Sequence, residues 1–157
     1  MNLGEVKSSI LEEAYSLLPA KMESDKATLM LLAIGMQESR FLTRKQINGP
    51  ARSYWQFEVG GVSGVLRHKA SKQAALAVCD ARGVRPVAEE VHAALEFDDV
   101  LGACFARLLL YTDPKPLPDI GEADEAWEFY LRTWRPGKPH RHTWGGLYLA
   151  AMGEVLP

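Results

Sequence analysis

Glu38 is the residue on which chemistry could turn. In "AIGMQESRFL", residues 33–42, an uncharged apolar run gives way to Gln37, Glu38, Ser39 and Arg40. A helix ending near residue 40 puts Glu38 on its last turn, one turn after Ile34 and two after Leu31, on the same face. A carboxyl in that position loses hydration and sits at the negative end of the helix. Both effects raise its pKa and suit it to donate a proton near neutrality. Arg40 or Arg44 would cancel the shift by pairing with it, and the alternative is a solvated Glu closing an ordinary helix. Downstream, Gly49 and Pro50 enforce a turn, and Tyr54, Trp55, Gln56 and Phe57 follow it directly. Aromatic faces stack on the apolar faces of sugar rings, and amide side chains bond sugar hydroxyls and N-acetyl groups. Glu58 is the next acid after Glu38, with none between. It reads as a second carboxylate able to work with Glu38 or as a solvated charge after a strand.

The elements that must position these groups are mostly helical. Leu3, Val6, Ile10, Ala14 and Leu17 form one stripe at helical spacing over residues 3–18, ending before Pro19. A second helix starts at Ser24 or Asp25 and runs to about residue 40; it is apolar nearly all round over 29–36 and should be the central buried helix. Residues 41–60 contain turn formers and short β-prone pieces, which predict a loop with a small hairpin. The glycines of "VGGVSG" read as shaping the turn into the next helix, and no phosphate-binding Lys follows them. Helices are then expected over 71–83, 86–96, 98–111 and 122–134, with the stiff Pro-rich connector "TDPKPLPD" before the last of these. "RPGKPHRH" is a loop, and a short helix over 144–152 closes the chain. The expected class is mainly α, with a small β-hairpin or loop element after the central helix, in one domain over 1–157.

Composition narrows the partners. The chain has 157 residues, 47% hydrophobic and 24% charged, with a formal charge of -2. No basic face is massed, so nucleic acid is not an expected partner. The longest apolar stretch is far too short to span a bilayer, so no membrane insertion is expected. The start lacks a basic segment followed by an apolar one, which points to synthesis in a bacterial cytoplasm and delivery by a separate route. Cys79 and Cys104 fit no zinc or redox spacing and read as small core residues, although a pairing between them stays open. His140 and His142 have no Cys or acid beside them, so a solvated basic loop near anionic groups is favoured over a metal site. No metal or cofactor is expected. Trp127, Tyr130, Trp134 and Trp144 supply aromatic area that reads as core or cleft.

The pairing of Glu38-Ser39 and the nearby Phe41 with the turn from Gly49 to Trp55 and Gln56 resembles the lysozyme-like superfamily, particularly lytic transglycosylases and phage-encoded cell-wall lysozymes. In those families a later helix carries a Tyr facing the catalytic Glu and leads into a Gly-containing loop; "WEFYLRTWRPGKP" is the counterpart, with Tyr130 the best match and Trp134 the next. The chain departs from the usual pattern in the bulky "ARSYW" before Gln56 and in lacking a Tyr-Asn-Ala-Gly string. The resemblance implies a lysozyme-like helical domain that cleaves the β-1,4 link between N-acetylmuramic acid and N-acetylglucosamine. It implies Glu38 as acid/base, Ser39, Tyr54, Trp55, Gln56, Tyr130 and Trp134 as substrate contacts, and Glu58 as the candidate second acid. The implied partners are peptidoglycan strands, with other virion proteins if the domain is virion-associated rather than an endolysin. A plant-type chitinase using Glu38 and Glu58, and a non-catalytic glycan-binding or virion module, are the alternatives.

Overall fold

The computed structural model describes residues 1–157. The chain opens with α1 (Leu3–Val6), a π turn at Lys7–Leu11 and α2 (Glu12–Leu17), in continuous helical succession. Asn2 caps α1 reciprocally with Glu5. The π turn adds a residue to the helical repeat, so Leu11, Tyr15 and Leu18 join Val6, Ile10 and Ala14 in the core, while Leu3 and Leu17 stay half-buried.

After a 3-10 turn at Ala20–Met22 comes α3 (Asp25–Ser39), started by Ser24, whose hydroxyl accepts from the Ala27 amide. Every residue of α3 from Ala27 to Gly35 is buried, which suits a run with no polar face. It packs most extensively on the C-terminal helix and also on the apolar helix after residue 98. Arg40 and Phe41 then both adopt left-handed backbone, at φ 57° and 54°, which turns the chain back on α3. The Phe41 ring lies over Gly35, where a Cβ would sit 2.1 Å from a ring carbon. Only a glycine admits that approach. Gly35→Ala is therefore expected to lower stability by roughly 1–3 kcal/mol through overpacking, despite the better helix propensity of Ala. A denaturant midpoint equal to the parent's would show that Phe41 does not lie there.

Residues 41–57 do not form the expected hairpin. Lys45 bridges Arg52 and Arg52 bridges Phe57, each as an isolated antiparallel contact. Left-handed backbone at Asn48, Ser53 and Gln56 interrupts every extended run before a ladder can propagate. The segment is a loop held by single backbone bonds, among them Ser53 N–H to the Arg44 carbonyl at 2.8 Å and Phe57 N–H to the Arg52 carbonyl at 2.7 Å. A Cβ at Gly49 would meet the end of the Gln46 side chain at 2.2 Å, which would have to swing away.

The glycine-rich "VGGVSG" does not shape a turn but lies in a helix, α4 (Val59–Arg67). Val62 and Val65 are fully buried at i, i+3 spacing, and α4 packs on three other helices. Tertiary burial overrides the cost of three glycines. The succeeding helices are α5 (Lys72–Arg82), α6 (Ala88–Ala94), α7 (Asp99–Tyr111), α8 (Ala123–Trp134) and α9 (Arg141–Val155). Gly83 at φ 69° closes α5, and the Asp98 carboxylate caps α7 through the Leu101 amide. α9 is longer than expected and takes in His142. The molecule is mainly helical, and one hydrophobic cluster connects its buried residues. Cys79 and Cys104 are free thiols in that cluster, and burial pushes their pKa values up to about 11 and about 12. No helix is long and apolar enough to cross a membrane.

Candidate active site

Glu38 stands on the last turn of α3 and Tyr130 in the middle of α8, 92 residues apart, and the Tyr130 hydroxyl donates a hydrogen bond to Glu38 Oε2. Aromatic packing holds Tyr130 rigidly. Its ring stacks nearly parallel on Trp144, 5.4 Å between centroids, and also meets Trp127 at 5.3 Å and Trp134 at 6.4 Å. Trp144 is itself fixed by its indole N–H, which donates to the Ala123 carbonyl at 2.9 Å.

Neither nearby arginine neutralises Glu38. The Arg40 guanidinium folds back onto the carbonyls of Met36 and Gln37 at the end of α3. Arg44 pairs with Asp99 at 2.8 and 2.9 Å and lies over the Tyr54 ring. Burial therefore holds the Glu38 carboxyl above its ordinary value, and the hydrogen bond from Tyr130 offsets only part of the rise. Burial raises the Tyr130 hydroxyl as well, helped by the Glu38 charge, so it remains a donor.

A raised carboxyl pKa has a stability consequence of definite sign. Ionising Glu38 costs the folded state more than the unfolded one, whose value is about 4.5. Its contribution is fully present below that pH and is lost as pH rises through the elevated folded value. Glu38→Gln is thus expected to melt above the parent at pH 7, with the gap closing below about pH 4. A gap of constant size across that range would mean that Glu38 is not held in its neutral form.

Glu38 and Tyr130 lie in the wall of a groove of about 360 Å³. Gln56, Glu58 and Trp134 line the same groove, together with residues 135–138 and His140 of the loop between α8 and α9. Gln56 turns on left-handed backbone at φ 54° and donates its amide to the Ser53 carbonyl at 2.8 Å. Trp134 donates its indole N–H to the Trp55 carbonyl at 2.8 Å, tying α8 to the loop after α3. Glu58 is exposed and sits at the N-cap position of α4, with no side-chain bond to that helix.

Three residues expected as substrate contacts lie elsewhere. Trp55 is fully buried; its indole N–H donates to the Leu31 carbonyl at 2.8 Å, and its ring meets Phe41 edge-on at 5.6 Å. Tyr54 is buried beside it, against the same Phe41 ring. The Ser39 hydroxyl is occupied within the chain. It donates to the Gly35 and Tyr54 carbonyls at 3.2 and 2.7 Å and accepts from the Phe41 amide at 3.1 Å. Ser39, Tyr54 and Trp55 therefore build the floor on which Glu38 stands and do not line the groove.

Gln37 was not singled out by sequence reasoning. Its amide N–H donates to the His140 carbonyl at 3.1 Å, and its oxygen accepts from Thr143 at 3.0 Å, which pins the 135–140 loop beside Glu38. Gln46 also lines the groove, and its oxygen accepts from the Ala51 amide at 3.2 Å. The only signal for either was position: Gln37 precedes Glu38, and Gln46 precedes the tight Gly49-Pro50 turn. Arg135 and Lys138 form no ion pair, so the loop gives the groove a cationic rim above the half-buried Glu38 carboxyl. His140 and His142 face each other edge-on, 5.7 Å apart.

No family model, curated protein or solved structure matches the chain. The functional reading rests on the groove.

Proposed function

We propose that the chain is a peptidoglycan-cleaving glycosidase of the lysozyme-like superfamily, a lytic transglycosylase or muramidase, with Glu38 as general acid and then base. One observation carries this reading. A carboxyl with a raised pKa, free of any cationic partner, lies in a groove wall with a tyrosine hydroxyl as its sole hydrogen-bond partner. A neutral Glu38 can protonate the glycosidic oxygen as the bond to the anomeric carbon breaks. The Tyr130 hydroxyl then stabilises the carboxylate left behind, because a donor already aimed at that oxygen needs no reorganisation. The substrate's N-acetyl group supports the developing positive charge. Glu38 next takes the proton from the group that attacks the anomeric carbon: the sugar's own 6-hydroxyl in a transglycosylase, water in a muramidase.

The groove's composition also bears on substrate. Gln56 and Trp134 supply an amide and an aromatic face for N-acetyl sugars, and the unpaired Arg135 and Lys138 suit lactyl and peptide carboxylates better than neutral chitin. Such an enzyme would work at the cell wall as a virion-associated or endolysin-type domain.

Glu58 favours one second reading, a chitinase-type hydrolase with two carboxylates, because it lines the same groove. Its exposure argues for the single-acid scheme, which expects Glu58→Gln to retain activity within about threefold of the parent. A fall of about 10²-fold, the usual cost of removing a general base, would promote the two-carboxylate scheme. The decisive experiment is mass spectrometry of fragments released from purified peptidoglycan. Products ending in 1,6-anhydromuramic acid identify a transglycosylase, and ordinary reducing ends identify a hydrolase. Release of no fragment, with binding intact, would overturn catalysis and leave a glycan-binding module.

A further inference from the structure

A second cavity, of about 680 Å³, shares no lining residue with the groove. It lies among the 3-10 turn at Ala20–Met22, the start of α3, the end of α7 and the Pro-rich connector after it. Its wall contains Lys21, Arg107 and Lys115, together with Lys26, which is already paired with Asp119 at 2.7 Å, against a single acid, Asp113. That acid is already engaged by Arg132, in two bonds of 3.0 and 3.1 Å. In a chain of net charge -2, this is a local concentration of positive charge.

Arg107 is the unusual member. It is only 5% exposed, forms no salt bridge, and has a terminal nitrogen, Nη1, with no hydrogen-bond partner. Its Nε donates to the Met22 carbonyl at 2.8 Å, which supports the 3-10 turn but leaves the charge uncompensated. A buried guanidinium without an anionic partner is a net cost to the fold. Lys21 makes the balance worse: its ammonium lies 5.3 Å from the Tyr111 ring centroid, and the Arg107 guanidinium lies 5.8 Å from the same centroid. Two like charges are thus gathered on one aromatic ring with no carboxylate between them. Ser24, at the start of the 15-residue α3, also lies in the cavity wall, where the positive end of the helix is opposed by Asp25 in its first turn.

We propose that this cavity is a phosphate-binding site in which Arg107 is the buried anchor and Lys21 and Lys115 are the exposed clamps. A phosphate group presents several acceptor oxygens and up to two negative charges, matching a planar guanidinium flanked by mobile ammonium groups. Free phosphate and a phosphate ester share this chemistry, and the cavity is large enough for either.

The test is a titration of inorganic phosphate into the whole protein at constant ionic strength, read by calorimetry and by the shift in Tm, with chloride as the control. Phosphate should bind and raise Tm where chloride does not. Arg107→Met should weaken phosphate binding by about tenfold or more, the loss expected for a charge-assisted pair. Its own Tm without phosphate should be equal to or above the parent's, because the unpaired charge is gone. Should Arg107→Met fail to fold, the exposed double variant Lys21→Gln/Lys115→Gln carries the test and should also weaken binding by about tenfold. Glycerol 3-phosphate separates the sources: tighter binding than inorganic phosphate supports an ester as the occupant, and equal binding supports the free ion. A phosphate response no different from chloride, or parental phosphate affinity in the folded variants, would overturn the site.

Discussion

If the chain is the glycosidase we propose, Glu38→Gln should lower its rate of peptidoglycan cleavage by about 10²-fold or more while leaving affinity for the glycan nearly unchanged. The substitution keeps the shape of the side chain and an oxygen to accept the Tyr130 hydroxyl, so the aromatic stack beneath Tyr130 has no reason to move. What disappears is the proton. Neither arginine near the end of α3 can replace it, since both are occupied, and Glu58 is exposed at the head of another helix. A loss confined to kcat is the signature of a group that acts in the transition state. If Glu38→Gln digests cell wall as fast as the parent, the carboxyl is a structural feature of a helix end and the glycosidase reading fails.

Trp55→Ala should have the largest effect on stability, a loss of about 3–5 kcal/mol, which is a large part of the total for a domain of this size. The ring is fully buried, packs edge-on against Phe41 and Tyr54, and satisfies the Leu31 carbonyl of α3. Removing it opens a cavity under the turn that sets Glu38. Denaturant unfolding of the variant distinguishes the two possible roles of this tryptophan. A sugar-stacking Trp55 would lose activity with an unchanged midpoint; a core Trp55 loses the midpoint first.

The apolar run of 29–36 made the central helix legible, because no polar face means burial on all sides, and all of it is buried except Met36, which is half-buried. The helices α5, α7 and α8 fall within the ranges expected at 71–83, 98–111 and 122–134, and in the structure Gly83 closes the first, Asp98 caps the second and acids head the third. α4 was not, since three glycines in nine residues carry a local signal opposite to the burial of Val62 and Val65. The hairpin was over-read for the converse reason. The β-prone residues are present, but Asn48, Ser53 and Gln56 turn left-handed, a choice made by tertiary packing. At the site, Glu38 stood out because a charge ended an uncharged run. Tyr54 and Trp55 were misplaced because aromatics after a turn look alike in sequence whether they face a sugar or a phenylalanine. Gln37, which pins the loop from 103 residues away, had no signal beyond its place before Glu38.

That last contact bears on how the protein regains its working form. The groove's two sides come from residues 37–58 and 130–140, and α3 packs chiefly on α9, so the chain must close loops of about a hundred residues before Glu38 meets Tyr130. Local helices form far faster than such closures. During refolding, helical circular dichroism should therefore recover well ahead of the near-ultraviolet signal of the Tyr130–Trp144 stack, and a chain that has regained its helices will lack its groove until its ends have met.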